Sequence, residues 1–125
     1  MRIFDLARLK EKDLFNLINK RLTAFPLLKE IYDEGFLSGL IRIRGRSNYD
    51  NYLLLLLADD NEFAIAFWKE VISDLLVLRH DSAFEKFKPK LRQWHEINLE
   101  PTKTELELTA YYKRRGYKVE IEPKL

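Results

Sequence analysis

The side chains that most often bind metals are sparse in this sequence. His80 and His95 are its two histidines, fifteen residues apart, with Asp81 following the first and Glu96 the second. Two histidines and a carboxylate can bind a transition metal, but this spacing does not place the pair on one face of a helix. Histidines at helix ends more often contact solvent or interact with the helix dipole. The sequence therefore predicts no metal site.

Groups for covalent catalysis and nucleotide binding are also lacking. The chain has no cysteine, and no serine or threonine lies in the tight turn that exposes a nucleophile. Its four glycines, at positions 35, 39, 45 and 116, are too scattered for a phosphate-binding or dinucleotide-binding loop. We interpret the acidic cluster Asp59, Asp60 and Glu62 as helix-capping carboxylates. The sequence thus predicts no catalytic set and no cofactor.

Two basic clusters are candidates for nucleic-acid binding. The first is Arg42, Arg44 and Arg46; the second, beside Phe87 and Trp94, is Lys86, Lys88, Lys90 and Arg92. Cations of this kind bind phosphates, and neighbouring aromatic rings stack on bases. The alternative is that the aromatic residues belong to the core and the lysines merely solvate a surface. The sequence leaves both interpretations open.

Composition indicates a globular domain rather than a disordered chain. Hydrophobic residues are 46% of the 125 and charged residues 34%, and the formal net charge is only +2. Charge is uneven: residues 1–50 carry a balance of +3, residues 51–80 of −3 and residues 81–125 of +2. The longest apolar run, 53–58, is too short to span a bilayer, and no secretory signal begins the chain. We expect a soluble, cytoplasmic protein, and its many Lys, Arg and Glu residues would suit a thermophile.

Apolar residues recurring at intervals of three and four predict a mainly α fold of five to seven helices in a single domain, 1–125. Helices are predicted at 10–25, 27–34, 49–57 and 62–78, the second ending at Gly35. A capping box of Ser82 and Glu85 begins another helix, which Pro89 should kink or split. A second box, Thr102 and Glu105, begins a helix that reaches Arg115 and ends at Gly116.

Two short segments alternate between apolar and charged residues, as strands with one buried face do. Residues 40–44 place Arg42 and Arg44 between apolar neighbours, and residues 117–122 do the same with Glu120 and Glu122. Pairing the two segments would set arginines opposite glutamates. We therefore predict at most a small two-stranded sheet, with helix at 40–44 as the competing interpretation.

The C-terminal segment resembles a known superfamily. Residues 107–119 contain Glu107, Ala110, Gly116 and Val119 in the order glutamate, small residue, glycine stop and apolar strand. Over residues 105–122 this resembles the opening helix and strand of the PD-(D/E)XK (restriction-endonuclease-like) nuclease superfamily. The resemblance implies that Glu107, or else Glu105, is the counterpart of a metal-binding glutamate, and that 102–125 begins a truncated second domain. The family's later Asp and Glu-X-Lys are absent, so we expect no DNA cleavage.

Three functions are consistent with these features. The first is a non-catalytic helical module that assembles with itself or with another protein, or that forms the N-terminal part of a larger nucleic-acid-processing protein. The second is a nucleic-acid-binding protein that uses Arg42, Arg44, Arg46 and the 86–92 cluster. The third is a remnant of a metal-dependent nuclease. Exposure of Tyr52, Phe63 or Trp68 would favour the first, since large exposed apolar side chains mark interfaces.

Overall fold

A computed structural model describes residue 6 and residues 8–44, 52–93 and 96–118, with only the backbone described at 96 and 97. Seven helices and no strand form in these ranges, so the predicted mainly helical fold is confirmed. None of these helices is both long enough and apolar enough to cross a membrane. The helices are α1 (Glu11–Ala24), α2 (Leu28–Ile31), α3 (Glu34–Arg42), α4 (Tyr52–Ala58), α5 (Glu62–Val77), α6 (Ser82–Leu91) and α7 (Glu96–Arg114).

Short polar side chains begin three of these helices by accepting a backbone N–H that has no partner within the helix. Asp33 accepts from Phe36 at 2.8 Å to begin α3, and Asn61 accepts from Ala64 at 2.8 Å to begin α5. Asp81 accepts from Ala83 at 3.1 Å to begin α6, so this aspartate caps the helix instead of the predicted Ser82.

The core is centred on Trp68 and Tyr32, which are almost completely buried. Their rings meet edge to face, with centroids 5.9 Å apart. Each polar atom has a partner: the Trp68 Nε1–H donates to the Leu56 carbonyl at 2.6 Å, and the Tyr32 hydroxyl donates to the Leu91 carbonyl at 2.6 Å. Burial also raises the pKa of the Tyr32 hydroxyl, although Arg92 opposes this, so the hydroxyl remains a donor. These two bonds tie α5 to α4 and the α2 region to α6.

Helix α7 packs against both α5 and α6. It runs parallel to α5, because Lys103 contacts Glu70 at 2.6 Å while Arg114, eleven residues later, contacts Asp74 at 3.0 Å. It runs antiparallel to α6, because Asp81, which caps the start of α6, contacts Lys113, and Lys90 near the end of α6 contacts Glu105. Helices α1, α2 and α4 join the core through the pairs α1 with α4, α4 with α5, α4 with α7, and α2 with α6. Helix α3 contributes Leu37, Leu40 and Ile41 to the same core.

The strand predicted at 40–44 is not seen, and helix, the competing interpretation, occupies residues 40–42. Leu40, Ile41 and Arg42 form the last turn of α3, and residues 43 and 44 form a turn. The apolar positions 37, 40 and 41 follow helical spacing and are buried together, and this burial outweighs a two-residue alternation only five residues long. The helix predicted at 27–34 is shorter than expected, because only Leu28–Ile31 form α2. Gly35 does not end that helix but lies in the first turn of α3.

The partner strand predicted at 117–122 lies mostly outside the described residues, and its described members Tyr117 and Lys118 have no regular structure. The helix before it ends as predicted. Gly116 adopts a φ of 85°, which suits glycine, and the Tyr117 N–H returns to the Tyr112 carbonyl at 3.1 Å.

The two proline-based predictions fare differently. Of the two outcomes predicted at Pro89, a kink or a split, the split does not occur, because helix α6 continues through Pro89. The second prediction needs correction. Helix α7 begins at Glu96 instead of at the predicted box, so Pro101 lies inside it and the Thr102 hydroxyl donates back to the Asn98 carbonyl at 2.8 Å. Leu99, on the turn before Pro101, is fully buried, and its burial favours the longer helix.

Candidate interaction surface on helix α7

Most cations of the predicted nucleic-acid sites are engaged inside the fold. Arg44 donates to the backbone carbonyls of Leu6, Leu9 and Ile41 at 2.8–3.0 Å, so its guanidinium holds the N-terminal segment on the end of α3. Arg42 is exposed, and Arg46 lies outside the described residues. The first basic cluster therefore does not form one described surface.

The second cluster is also largely engaged. Lys90 binds the Glu105 carboxylate at 2.9 Å and lies over the Phe87 ring, and Lys88 pairs with Glu85 at 3.1 Å. Arg92 donates to the Ile31 carbonyl at 2.7 Å and also faces Asp33 at 3.8 Å. The Lys86 side chain is exposed. Phe87 is completely buried, as expected if the aromatic residues here belong to the core, and Trp94 lies outside the described residues.

Glu107 is exposed on α7 and forms an ion pair with Lys103 at 2.5 Å. Partial burial acts to lower the pKa of the Lys103 ammonium, but its hydrogen bonds to Glu107 and Glu70 outweigh this and raise it. His80 is exposed in the turn before α6, and His95 lies outside the described residues. Within the described ranges, no three His, Asp or Glu residues converge in a way that could hold a metal ion.

A groove of about 550 Å³ lies between α5 and α7, lined by charged side chains, one serine and one tyrosine. On its floor Asp74 is buried and accepts a hydrogen bond from the Arg114 guanidinium at 3.0 Å. Arg114 also reaches the Ser73 hydroxyl at 3.2 Å. Desolvation raises the pKa of the Asp74 carboxyl above its ordinary value, although Arg114 lowers it. Arg114 therefore compensates only in part for burying this carboxylate.

The Asp74–Arg114 pair predicts a stability change that depends on pH. A carboxyl with a raised folded pKa stabilises the fold while protonated, and that stability is lost as the pH rises through the folded pKa. Because Arg114 offsets part of this loss, we expect Arg114→Gln to lower the free energy of unfolding by about 1 kcal/mol near pH 7, with little effect near pH 3. Urea unfolding at both pH values would measure this.

The neighbouring substitution Arg115→Gln is the matched control, because Arg115 contacts a tyrosine ring and its effect should not vary with pH. An equal loss of stability at both pH values for Arg114→Gln would contradict the role given to the ion pair.

Four large side chains near the end of α7 form an exposed surface, here called the tyrosine surface. Its members are Leu108 (54% exposed), Tyr111 (48%), Tyr112 (48%) and Tyr117 (62%). Leu108 precedes Tyr111 and Tyr112 by three and four residues, which places the three side chains next to one another on the helix. The turn at Gly116 carries Tyr117 back beside Tyr112.

The tyrosine rings hold one another in a fixed arrangement. Tyr112 meets Tyr111 edge to face at 5.4 Å and Tyr117 edge to face at 5.8 Å. The Arg115 guanidinium lies 4.3 Å from the centre of the Tyr111 ring, a cation–π contact. Lys113 pairs with Asp81 at 2.9 Å, and this bond together with the Ala83 N–H lowers the pKa of the Asp81 carboxyl.

The sequence contains a signal for this surface that the core pattern overlooks. Leu106 and Ala110 are fully buried, so they define the inward face of α7. Leu108, Tyr111 and Tyr112 lie off that face, and large apolar side chains are unusual there. Exposure of Tyr52, Phe63 or Trp68 would also favour assembly. Phe63 is 63% exposed, whereas Trp68 is fully buried. The Tyr52 hydroxyl donates to the Glu100 carboxylate.

Comparisons of this chain with protein-family models, curated proteins and solved structures each return no match. Over the described ranges, the fold and the surface define an all-helical domain with a tyrosine-rich outer face.

Proposed function

We propose that this chain is a non-catalytic helical module that binds a protein chain through the tyrosine surface. The observation that carries the proposal is the exposure of Leu108, Tyr111, Tyr112 and Tyr117 in one patch. Tyrosine and arginine are enriched in protein interfaces, and they supply many of the residues that contribute most to binding. The rings already support one another, so binding would order few additional side-chain torsions.

The contacts of the other candidate residues support this choice. Lys88, Lys90, Arg92 and Arg44 use their cationic groups to stabilise the fold, so they contribute less to a phosphate-binding surface than their number suggests. Glu107 is neutralised by Lys103 at the edge of the groove. The proposal does not depend on the nuclease resemblance, which stays a prediction.

Replacing Leu108 and Tyr112 by serine tests the proposal. In an extract of producing cells we expect the wild-type chain to elute in a complex larger than its monomer, and the double variant to elute as the monomer. Losing two central interface side chains should weaken binding by about tenfold or more. Size-exclusion chromatography with immunodetection makes the measurement, and thermal unfolding verifies that the variant is folded.

The matched control is Leu76→Ser, which removes a 58% exposed leucine on α5 outside the tyrosine surface. It should leave the elution volume unchanged. Elution of the wild-type chain as a monomer at every concentration would refute the proposed function.

A further inference from the structure

The parallel packing of α5 and α7 separates two exposed regions of opposite charge. Lys103 of α7 meets Glu70 and lies 5.8 Å from the Phe67 ring centre, whereas Arg114 meets Ser73 and Asp74. The start of α5 and the end of α7 therefore lie at opposite ends of the helix pair. About twelve helical residues separate the two ends of the pair. Since a helix rises about 1.5 Å per residue, the ends lie roughly 20 Å apart.

One end of the helix pair lies at the start of α5 and is here called the acidic end. It consists of Asp60, Glu62 and Phe63. The two carboxylates are exposed, and neither makes an ion pair with a described residue. Phe63 is 63% exposed and forms one wall of a pocket of about 200 Å³. The other walls are apolar side chains, acidic side chains and one lysine: Ala66, Phe67, Glu70, Glu100 and Lys103.

The other end of the helix pair lies at the last turn of α7 and is here called the basic end, because its exposed charges are positive. Arg115 and Lys118 are exposed, and neither pairs with a carboxylate of a described residue. Between them in sequence, Tyr117 is 62% exposed and packs edge to face against Tyr112 as part of the tyrosine surface. The acidic end thus offers a pocket and, beside it, the carboxylates Asp60 and Glu62, with which no described cation pairs. The basic end offers an exposed tyrosine ring beside two cations with which no described carboxylate pairs.

From this complementarity we infer that the protein bound by the tyrosine surface is a second copy of this chain, docked head to tail. The basic end of one copy meets the acidic end of the next, with Tyr117 in the pocket beside Phe63 and with Arg115 and Lys118 facing Asp60 and Glu62. The inference rests on the proposed function and specifies its partner. The two ends are different surfaces, so the contact is heterologous, and each added copy leaves one end of each kind unoccupied unless a ring closes.

Charge reversal at each end provides the test. One variant carries Arg115→Glu and Lys118→Glu, and the other carries Asp60→Lys and Glu62→Lys. We expect the purified wild-type chain to self-associate with rising concentration in sedimentation velocity, and at least tenfold more weakly in about 0.5 M NaCl, since salt screens exposed charges. Each variant alone should stay monomeric, because like charges then face each other.

Mixing the two variants is the decisive step. The unaltered acidic end of the first variant and the unaltered basic end of the second form a native contact, so association should return in the mixture. Restoration by mixing also shows that both variants are folded. Lys20→Glu with Lys29→Glu is the matched control for the first variant, because it reverses two exposed cations elsewhere and lowers the net charge by the same amount.

Three results would overturn the head-to-tail contact: a wild-type chain that stays monomeric at low salt, self-association that survives both charge reversals, or a mixture that stays monomeric. The proposed function is judged separately by the serine variant of Leu108 and Tyr112. If the wild-type chain elutes in a large complex in the extract, the serine variant elutes as the monomer there, and the purified wild-type chain is monomeric, the tyrosine surface binds a different protein. If the serine variant keeps the large complex, the proposed function fails. If the wild-type chain is monomeric in both settings, both proposals fail.

Discussion

Replacing Trp68 by alanine is expected to lower the free energy of unfolding by about 3–5 kcal/mol, the range observed when large buried aromatic side chains are truncated. The Trp68 side chain is fully buried and packs edge to face against Tyr32 and Phe67. The ring centroids of Trp68 and Phe67 are 4.9 Å apart. Its removal leaves a cavity at the meeting point of α2, α4 and α5, and also deletes the bond from Nε1–H to the Leu56 carbonyl. Urea unfolding followed by circular dichroism measures the change.

Phe63→Ala is the matched control for this prediction, because Phe63 is an aromatic residue on the same helix that is 63% exposed. Its effect on stability should stay within about 0.5 kcal/mol. A loss for Trp68→Ala no larger than that of Phe63→Ala would show that Trp68 does not centre the core.

Replacing Arg21 by methionine is expected to lower the free energy of unfolding by about 2–3 kcal/mol. Arg21 is buried on α1, and its guanidinium donates to the Leu56 carbonyl at 2.8 Å and also to the Asp59 carbonyl. These carbonyls lie at the end of α4, where no later residue of the helix can satisfy them. Methionine retains much of the apolar stem but no donor, so it leaves buried acceptors with fewer partners.

Burial acts to lower the pKa of Arg21, whereas Asp59 and Asp60 act to raise it, and the net direction is downward. An arginine nevertheless stays charged at every pH where the protein folds, so its hydrogen bonds to the two carbonyls, and the loss predicted from removing them, persist over that whole range. Lys20→Met, at the exposed neighbouring position, is the control and should change stability by less than about 0.5 kcal/mol. Equal effects for the two substitutions would refute the capping role of Arg21.

The long periodic helices were predictable from sequence because several signals coincide there. Helix α1 was predicted at 10–25 and occupies Glu11–Ala24, and α5 was predicted at 62–78 and occupies Glu62–Val77. In α5 the polar cap Asn61 marks the start of the helix, and a sustained apolar repeat at helical spacing begins at the same place. In α3 the signals conflict, because Gly35 resembles a stop and Arg42 and Arg44 resemble strand alternation. There the burial of Leu37, Leu40 and Ile41 decides.

The interaction surface has a weaker signal in the sequence, because exposure depends on which neighbours cover each face. The segment from Tyr111 to Tyr117 reads locally as the end of a helix, and its tyrosines would suit a core equally well. Only the packing of α5 and α6 against the other faces of α7 leaves them exposed. The basic clusters show the converse: Arg44 and Arg92 look available in sequence, but their partners are backbone carbonyls distant along the chain.

The parallel direction of α5 and α7 also has an electrical consequence. Peptide dipoles align along each helix, so two parallel helices bring poles of like sign together at each end of the pair. The acidic side chains Asp60 and Glu62 lie at the positive pole, and Arg115 and Lys118 lie at the negative pole. The side chains therefore oppose the backbone field and relieve the repulsion between like poles. Neutralising either set would remove this relief within the single molecule, before any second copy is present.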